Sequence, residues 1–184
     1  MSDFVSLHNH TTLSILDSLI SPKALFQRAR ELGQKAIAVT DHGSCAAAWD
    51  ALKASRDTGV KLIMGCEMYF LDDVRKTDQK FRHVILLAKN AKGYRNLLTL
   101  NKEGFDNNVI AHKRIYPVID WNLLEKYSEG LICLTSCSNG IVAQLLMNKK
   151  FDEAENQLNR LVNIFGDSLG LEVQANNLKR NSNM

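Results

Sequence analysis

The chain has 184 residues, 45% of them hydrophobic and 23% charged. That is enough for one domain with a full core, and it excludes a disordered or fibrous polypeptide. The formal net charge of +3 comes from dispersed basic residues, so nucleic-acid binding driven by charge alone is not indicated. No run approaches the roughly 20 apolar residues that cross a bilayer, and Met1–Asp3 does not open a secretory signal. A soluble, cytoplasmic chain without a membrane partner is expected.

Phe4-Val5-Ser6-Leu7 reads as a short strand ending in His8-Asn9-His10. Alternate side chains on a strand share a face, which puts His8 and His10 together with Cα atoms about 6–7 Å apart. That is a workable bite for one divalent ion or two adjacent ones. After a polar loop through Asp17, Ser21 is a plausible N-cap, Pro22 a first helical residue and Gly33 a stop. Ala36–Thr40 is a continuous apolar run, as in a buried parallel strand, and it leads into Asp41-His42-Gly43.

Helical spacing then predicts a helix over 44–58 closed by Gly59, and a strand over 60–70 with Glu67 in mid-run. Residues 71–80 read as a loop, and 83–88 as a buried strand with His83 at its start. Residues 93–102 read as a helix and 104–119 as irregular. Next come a helix over 121–127, a strand over 131–135 ending near Cys137, helices over 141–147 and 151–165, and a strand over 169–173. Strands alternating with helices predict parallel βαβ units with right-handed crossovers. The asparagine-rich tail, 175–184, is expected to fray. Cys45, Cys66, Cys133 and Cys137 contain no Cys-x-x-Cys pair and read as reduced thiols.

Polar residues gather at strand ends: His8, His10, Asp17, Asp41, His42, Glu67 and His83, with Cys137 after a later strand. Four of the five histidines belong to this set; His112 does not. These are ligand types suited to Zn²⁺, Mn²⁺, Fe²⁺ or Mg²⁺. Glu67 could give an oxygen to each of two cations. A pair of ions about 3.5–4 Å apart clamps a phosphate and turns a bridging water into metal-bound hydroxide at neutral pH. No Gly-rich nucleotide loop, Gly-x-Ser-x-Gly elbow or His-Glu-x-x-His helix is present.

Together, H-N-H at His8–His10, T-D-H-G at Thr40–Gly43, G-C-E at Gly65–Glu67 and the strand start at His83 resemble successive motifs of the PHP (polymerase and histidinol phosphatase) domain family. Leu16-Asp17, Gly93-Tyr94-Arg95-Asn96-Leu97, Glu129-Gly130-Leu131-Ile132 and Leu171-Glu172-Val173-Gln174 are similar to its branch at the N-terminus of the bacterial replicative DNA polymerase III alpha subunit. The resemblance covers nearly the whole chain. It implies a distorted seven-stranded β/α barrel occupying residues 1–174, with up to three divalent metal sites at one end.

The implied ligand sets are His8, His10 and Glu67 for a first metal, Glu67, His83 and Cys137 for a second, and Asp17 with His42 for a third. Asp41 would orient a neighbour or a water. The family's final strand and its Asp-x-His pattern do not follow Glu172, so the barrel is expected to be incomplete. The polymerase palm is not in this sequence. Two function classes follow. One is a metal-dependent phosphoesterase acting on a DNA 3′ end, as a 3′-5′ exonuclease would, or on pyrophosphate or a small phosphomonoester. The other is a metal-binding module of a replicative polymerase, weak or inactive alone, that packs on the rest of that polymerase or on its exonuclease or clamp partners.

Overall fold

The computed structural model describes residues 3–15, 17–75, 80–111 and 113–174; the expected frayed tail, 175–184, lies outside them. The architecture is mixed α/β. In chain order it contains α1 (Pro22–Glu31), β1 (Ala36–Val39), α2 (Ala48–Thr58), β2 (Lys61–Phe70), β3 (Arg82–Ala88) and α3 (Ala91–Asp106). Then follow β4 (Val109–Ala111), β5 (Arg114–Tyr116), β6 (Val118–Ile119), α4 (Trp121–Tyr127), β7 (Leu131–Leu134), α5 (Ile141–Met147), α6 (Phe151–Phe165) and β8 (Leu169–Gly170).

The main sheet has the order β1-β2-β3-β7-β8, with β6 also paired to β2, while β4 and β5 form a separate hairpin. Among the described residues the sheet is open, with no closed barrel. The N-terminal segment lies along β1, its strand-type pairing among the described residues being the parallel bridge Ser6↔Ile37. The Asn9 and Thr40 main chains also meet, Thr40 N–H donating to Asn9 O at 2.9 Å.

Three sequence expectations are corrected. The strands are not uniformly parallel: β2 pairs antiparallel with β3, and β3 antiparallel with β7. Among the described residues of the connection between Phe70 and Arg82 there is no helix, and a parallel return normally needs a helical crossover. A buried apolar run reports burial, not direction. Residues 104–119 are also more regular than expected: α3 runs on to Asp106, and the hairpin and β6 fill most of the rest. The last strand is shorter than predicted, ending at Gly170.

Alternation divides the sheet's two faces. On β2, Cys66, Met68 and Phe70 face a core shared with Leu97 and Leu100 of α3, Leu124 of α4 and Leu161 of α6. Helices α1 and α2 cover the β1 end through Leu25, Phe26, Ala51 and Ala54 around Ile37 and Val39. The opposite face holds a small apolar cluster of Ala38, Ile85, Leu87 and Leu134. Glu67 and Tyr69 belong to that second face, beyond the apolar cluster.

Helix ends are set locally. Ser21 caps α1 by accepting from Ala24 N–H at 3.2 Å, and Gly59 closes α2 in the left-handed region with φ 74°. Asp120 is buried and caps α4, accepting from Leu123 N–H at 3.0 Å. Asp120→Ala is expected to lower unfolding free energy by about 1–2 kcal/mol, read from urea denaturation midpoints at unchanged m. No change in midpoint would show that the cap contributes nothing.

Candidate metal centre

The site forms where the N-terminal segment, the β1–α2 turn, β2, β3 and the β7–α5 turn meet. Glu67 is its centre. The side chain is 1% exposed, and its two oxygens face different partners. Oε2 lies 3.2 Å from His8 Nε2, 3.2 Å from His10 Nε2 and 3.2 Å from His42 Nδ1. Oε1 lies 3.2 Å from His83 Nδ1, accepts from Ser136 Oγ at 2.6 Å, and is 3.7 Å from Cys137 Sγ.

Backbone pairing explains the convergence. The register sets Tyr69 opposite His83 and Glu67 opposite Ile85, so the reversed direction of β3 brings its first residues to the end of β2 where Glu67 faces the site. His42 pairs with Glu67 through a parallel bridge, and Gly43 N–H donates to Glu67 O at 2.9 Å. Gly43 must be glycine there: φ is +57°, and an added Cβ would lie 2.5 Å from Pro117 Cγ. Asp41 is engaged by Thr11. Its buried carboxylate accepts from Thr11 N–H at 2.5 Å and Thr11 Oγ at 2.8 Å, tying the loop after His10 to the end of β1.

Among the described residues, three groups of His, Asp and Glu have ligand atoms within 4.8 Å of one another: His8, His10 and Glu67; His10, Asp17 and His42; His42, Glu67 and His83. Asp17 Oδ2 is 3.5 Å from His10 Nδ1 and 3.8 Å from His42 Nε2. The first group matches the first implied ligand set. In the others His42 stands where Cys137 was implied, and His10 joins Asp17 and His42. Cys137 lies beside Glu67 and is half-buried, while Cys45, Cys66 and Cys133 are buried free thiols.

The cluster's electrostatics fit a cation. Burial pushes Glu67 up, but the imidazoles of His10, His8 and His83 packed against it override that and hold the carboxyl far below the usual carboxylate range. Burial alone would lower His8, yet its bonds to Glu172 and Glu67 raise it to about 10. His83 likewise rises to about 9, against burial, through Cys137 and Glu67. His42 falls to about 4, because burial and the neighbouring histidines outweigh the attraction of Glu67. Burial pushes the Cys137 thiol up, but His83 and the Asn139 N–H outweigh it and lower it.

Nδ1 atoms of His10, His42 and His83 are buried without a hydrogen-bond partner, although carboxylate oxygens lie 3.2–3.5 Å away. These contacts are close enough for attraction but misdirected for N–H···O bonds. Packed imidazoles with unpartnered nitrogens around one buried carboxylate suit divalent-metal binding better than a self-satisfied polar cluster.

The sequence reading missed Ser136, Asn139 and Glu172. Asn139 Nδ2 is 3.2 Å from His83 Nε2, and Glu172 Oε1 is 2.7 Å from His8 Nδ1. In the sequence Glu172 is a carboxylate within the apolar run 169–173, which is the signal that could have found it. His112 lies outside the described residues, as does Leu16.

The sequence profile of the PHP domain family matches residues 6–176. The chain belongs to the PHP domain family. Relatives named DNA polymerase III subunit alpha match this PHP domain over nearly its whole length. The Aquifex aeolicus protein is 40% identical over 191 residues, covering 96% of this chain and 16% of its own length. The Treponema pallidum protein is 37% identical, with 95% and 15% covered, and the Borreliella burgdorferi protein 35% identical, with 97% and 16% covered. The chain therefore spans about one-sixth of the length of these relatives. Among the described residues, no helix is long and apolar enough to cross a membrane.

Proposed function

We propose that this PHP domain is a divalent-metal-binding module of a replicative polymerase polypeptide, in which it packs against the rest of the polymerase or a partner. The observation that carries the reading is the approach of four imidazoles to the two oxygens of one buried carboxylate, Glu67. His8, His10 and Glu67 would hold one ion, and Glu67 with His83 and either His42 or Cys137 a second. Asp17, with His42 and His10, would complete a third site. Zn²⁺, Mn²⁺, Fe²⁺ or Mg²⁺ would serve. Such ions polarise a phosphoryl oxygen and lower the pKa of water.

The protein's own residues would position a phosphate ester beside that cluster. A cleft of about 730 Å³ opens on Asp17 and His42 and is lined by Tyr69, Tyr116, Lys113 and Arg114. The two cations suit the charge of a phosphate, and the rings suit an attached base or other planar group. A DNA 3′ end, pyrophosphate or a small phosphomonoester are the candidate substrates. Among the described residues no strand lies between the N-terminal segment and β8, which meet there through the His8–Glu172 side-chain contact. Without a strand there, weak hydrolysis by the chain alone is expected.

Elemental analysis of the freshly purified chain should find one or two divalent ions per molecule, reduced in His10→Ala. Incubation with Mn²⁺ or Zn²⁺ and either a 3′-labelled oligonucleotide or p-nitrophenyl phosphate should give little turnover. A chain that neither retains nor takes up metal would overturn the metal-binding reading. Robust hydrolysis lost in His10→Ala would favour an active stand-alone phosphoesterase.

The raised His8 and His83 values, about 10 and about 9, add a pH prediction. Both rings hold protons at pH 7 in the metal-free chain and must lose them to act as ligands. Metal uptake at pH 7 should therefore release at least one proton, and affinity should climb as pH rises towards 9. Calorimetry in buffers of different ionisation enthalpy measures this directly. A proton count of zero would contradict it.

A further inference from the structure

His8 faces two carboxylates with its two ring nitrogens. Its Nε2 points inward, 3.2 Å from Glu67 Oε2 and 3.0 Å from His10 Nε2. Its Nδ1 points the other way and meets Glu172 Oε1 at 2.7 Å, the shortest polar contact of the ring. The imidazole thus stands between Glu172 and the centre of the cluster, and among the described residues His8 is the cluster histidine that Glu172 touches.

Glu172 is held for this contact. The parallel pairing of Leu134 with Gly170 brings the end of β8 beside the end of β7, and Glu172 N–H donates to Thr135 Oγ at 3.0 Å. Gln174 Nε2 donates to Glu172 Oε1 at 2.8 Å and lies 3.5 Å from His8 Nδ1. The Glu172 side chain is only 12% exposed, and its Oε2 is buried without a hydrogen-bond partner. A carboxylate this shielded loses hydration that one hydrogen bond to a neutral amide does not restore. Its ion-pair partner among the described residues is the His8 ring.

A histidine ligand commonly donates its remote N–H to a carboxylate, which fixes the tautomer and the turn of the ring and raises the basicity of the coordinating nitrogen. We infer that Glu172 is a positioning residue of the metal centre, accepting the Nδ1–H of His8 so that the Nε2 lone pair faces the ion shared with His10 and Glu67. The inference rests on the metal-binding reading above. Glu172 also joins the N-terminal segment to the strand following α6, so a purely structural tie is the competing account. The two differ in what they do to the His8 ring.

The test uses the 184-residue chain, with Zn²⁺ titrated against a chromophoric chelator and long-range ¹H–¹⁵N spectra recorded for the Zn²⁺-loaded protein. Glu172→Ala should weaken the tightest Zn²⁺ site about 10- to 100-fold. Glu172→Gln should weaken it less, because the amide oxygen still accepts the bond but carries no charge. In the unsubstituted chain the His8 ring should show a protonated Nδ1 and an unprotonated Nε2, and Glu172→Ala should lose that pattern.

Zn²⁺ affinity within twofold in both variants would overturn the inference. So would weakened affinity with the His8 ring pattern intact, which is the outcome of a structural tie alone. Should Glu172→Ala fail to fold, Glu172→Gln carries the same comparison. An unsubstituted chain that takes up no Zn²⁺ would overturn the metal-binding reading and this inference with it, an outcome visible before any variant is made.

Discussion

Glu67→Gln should abolish tight divalent-metal binding at two of the three ligand groups at once. Gln has nearly the same volume, so packing is preserved, but it removes the charge that both groups containing Glu67 share. It also presents an NH₂ group to imidazole nitrogens that need an acceptor or a cation. A fall in Zn²⁺ or Mn²⁺ affinity of at least about 100-fold is expected, larger than that for loss of a group outside the ligand set. Calorimetric titration of both proteins at pH 7.5 measures it. An unchanged stoichiometry and affinity would show that Glu67 does not bind the ions.

The same residue controls how the metal-free chain responds to pH. Glu67 lies below its ordinary value of 4.5, so its contribution to stability is present above pH 4.5 and lost as pH falls. His8 is raised from 6.5 to about 10, so its contribution is full below pH 6.5 and lost as pH rises towards 10. Their mutual stabilisation is therefore greatest between pH 4.5 and 6.5. With chelator present, thermal unfolding should show a midpoint maximum in that window that Glu67→Gln flattens.

Gly93→Ala should strongly destabilise the fold, against the sign that helix propensity predicts. Alanine favours a helix interior over glycine by about 1 kcal/mol. Here, however, a Cβ at residue 93 would lie 1.7 Å from Gly130 O and 2.4 Å from Gly130 C, both backbone atoms. Neither can rotate away. Gly130 O already accepts from Lys89 N–H at 2.9 Å, and Asn96 Nδ2 donates to Glu129 O at 2.8 Å, so the turn before β7 is held against the start of α3.

Relief of that clash requires α3 to shift, and α3 carries the fully buried Leu97 and Leu100. Overpacking of about 3 kcal/mol less the propensity gain of about 1 kcal/mol leaves a net loss of about 2 kcal/mol, which for a domain of this size lowers the thermal midpoint by roughly 4–8 °C. The strain would also reach the site, because Asn101 of α3 donates to Gly43 O at 2.7 Å. A Gly93→Ala chain melting at or above the unsubstituted temperature would refute the close approach.

Much of the site was readable before the fold was known, for a definable reason. His8 and His10 are two apart on an extended segment, and extended backbone puts such a pair on one face whatever surrounds it. Asp17, His42 and His83 each stood at a strand or turn boundary and Glu67 within a strand, where a polar group inside an apolar pattern is conspicuous. Asp41 carried the same signature but is engaged by Thr11. Cys137 follows a strand and reaches Glu67, yet His42 supplies the nearer nitrogen. Residue type and position alone do not rank such candidates; the direction of each side chain does.

The residue types, their spacing and the helix caps are local properties, and the sequence by itself determined them: Ser21 begins α1, Gly59 ends α2, and His-x-His presents two imidazoles together. Strand direction is not local. An apolar run such as 83–88 is buried whichever way it runs, and only pairing with β2 shows that β3 is reversed and that His83 therefore belongs to the site. The hairpin of β4 and β5 was likewise hidden in a stretch without periodicity, where pairing rather than propensity makes the strands. Glu172 shows the limit most clearly. It is 164 residues from His8, and only the stacking of β8 beside β7 brings its carboxylate to the back of that ring, because long-range register is a property of the assembled sheet and not of any segment within it.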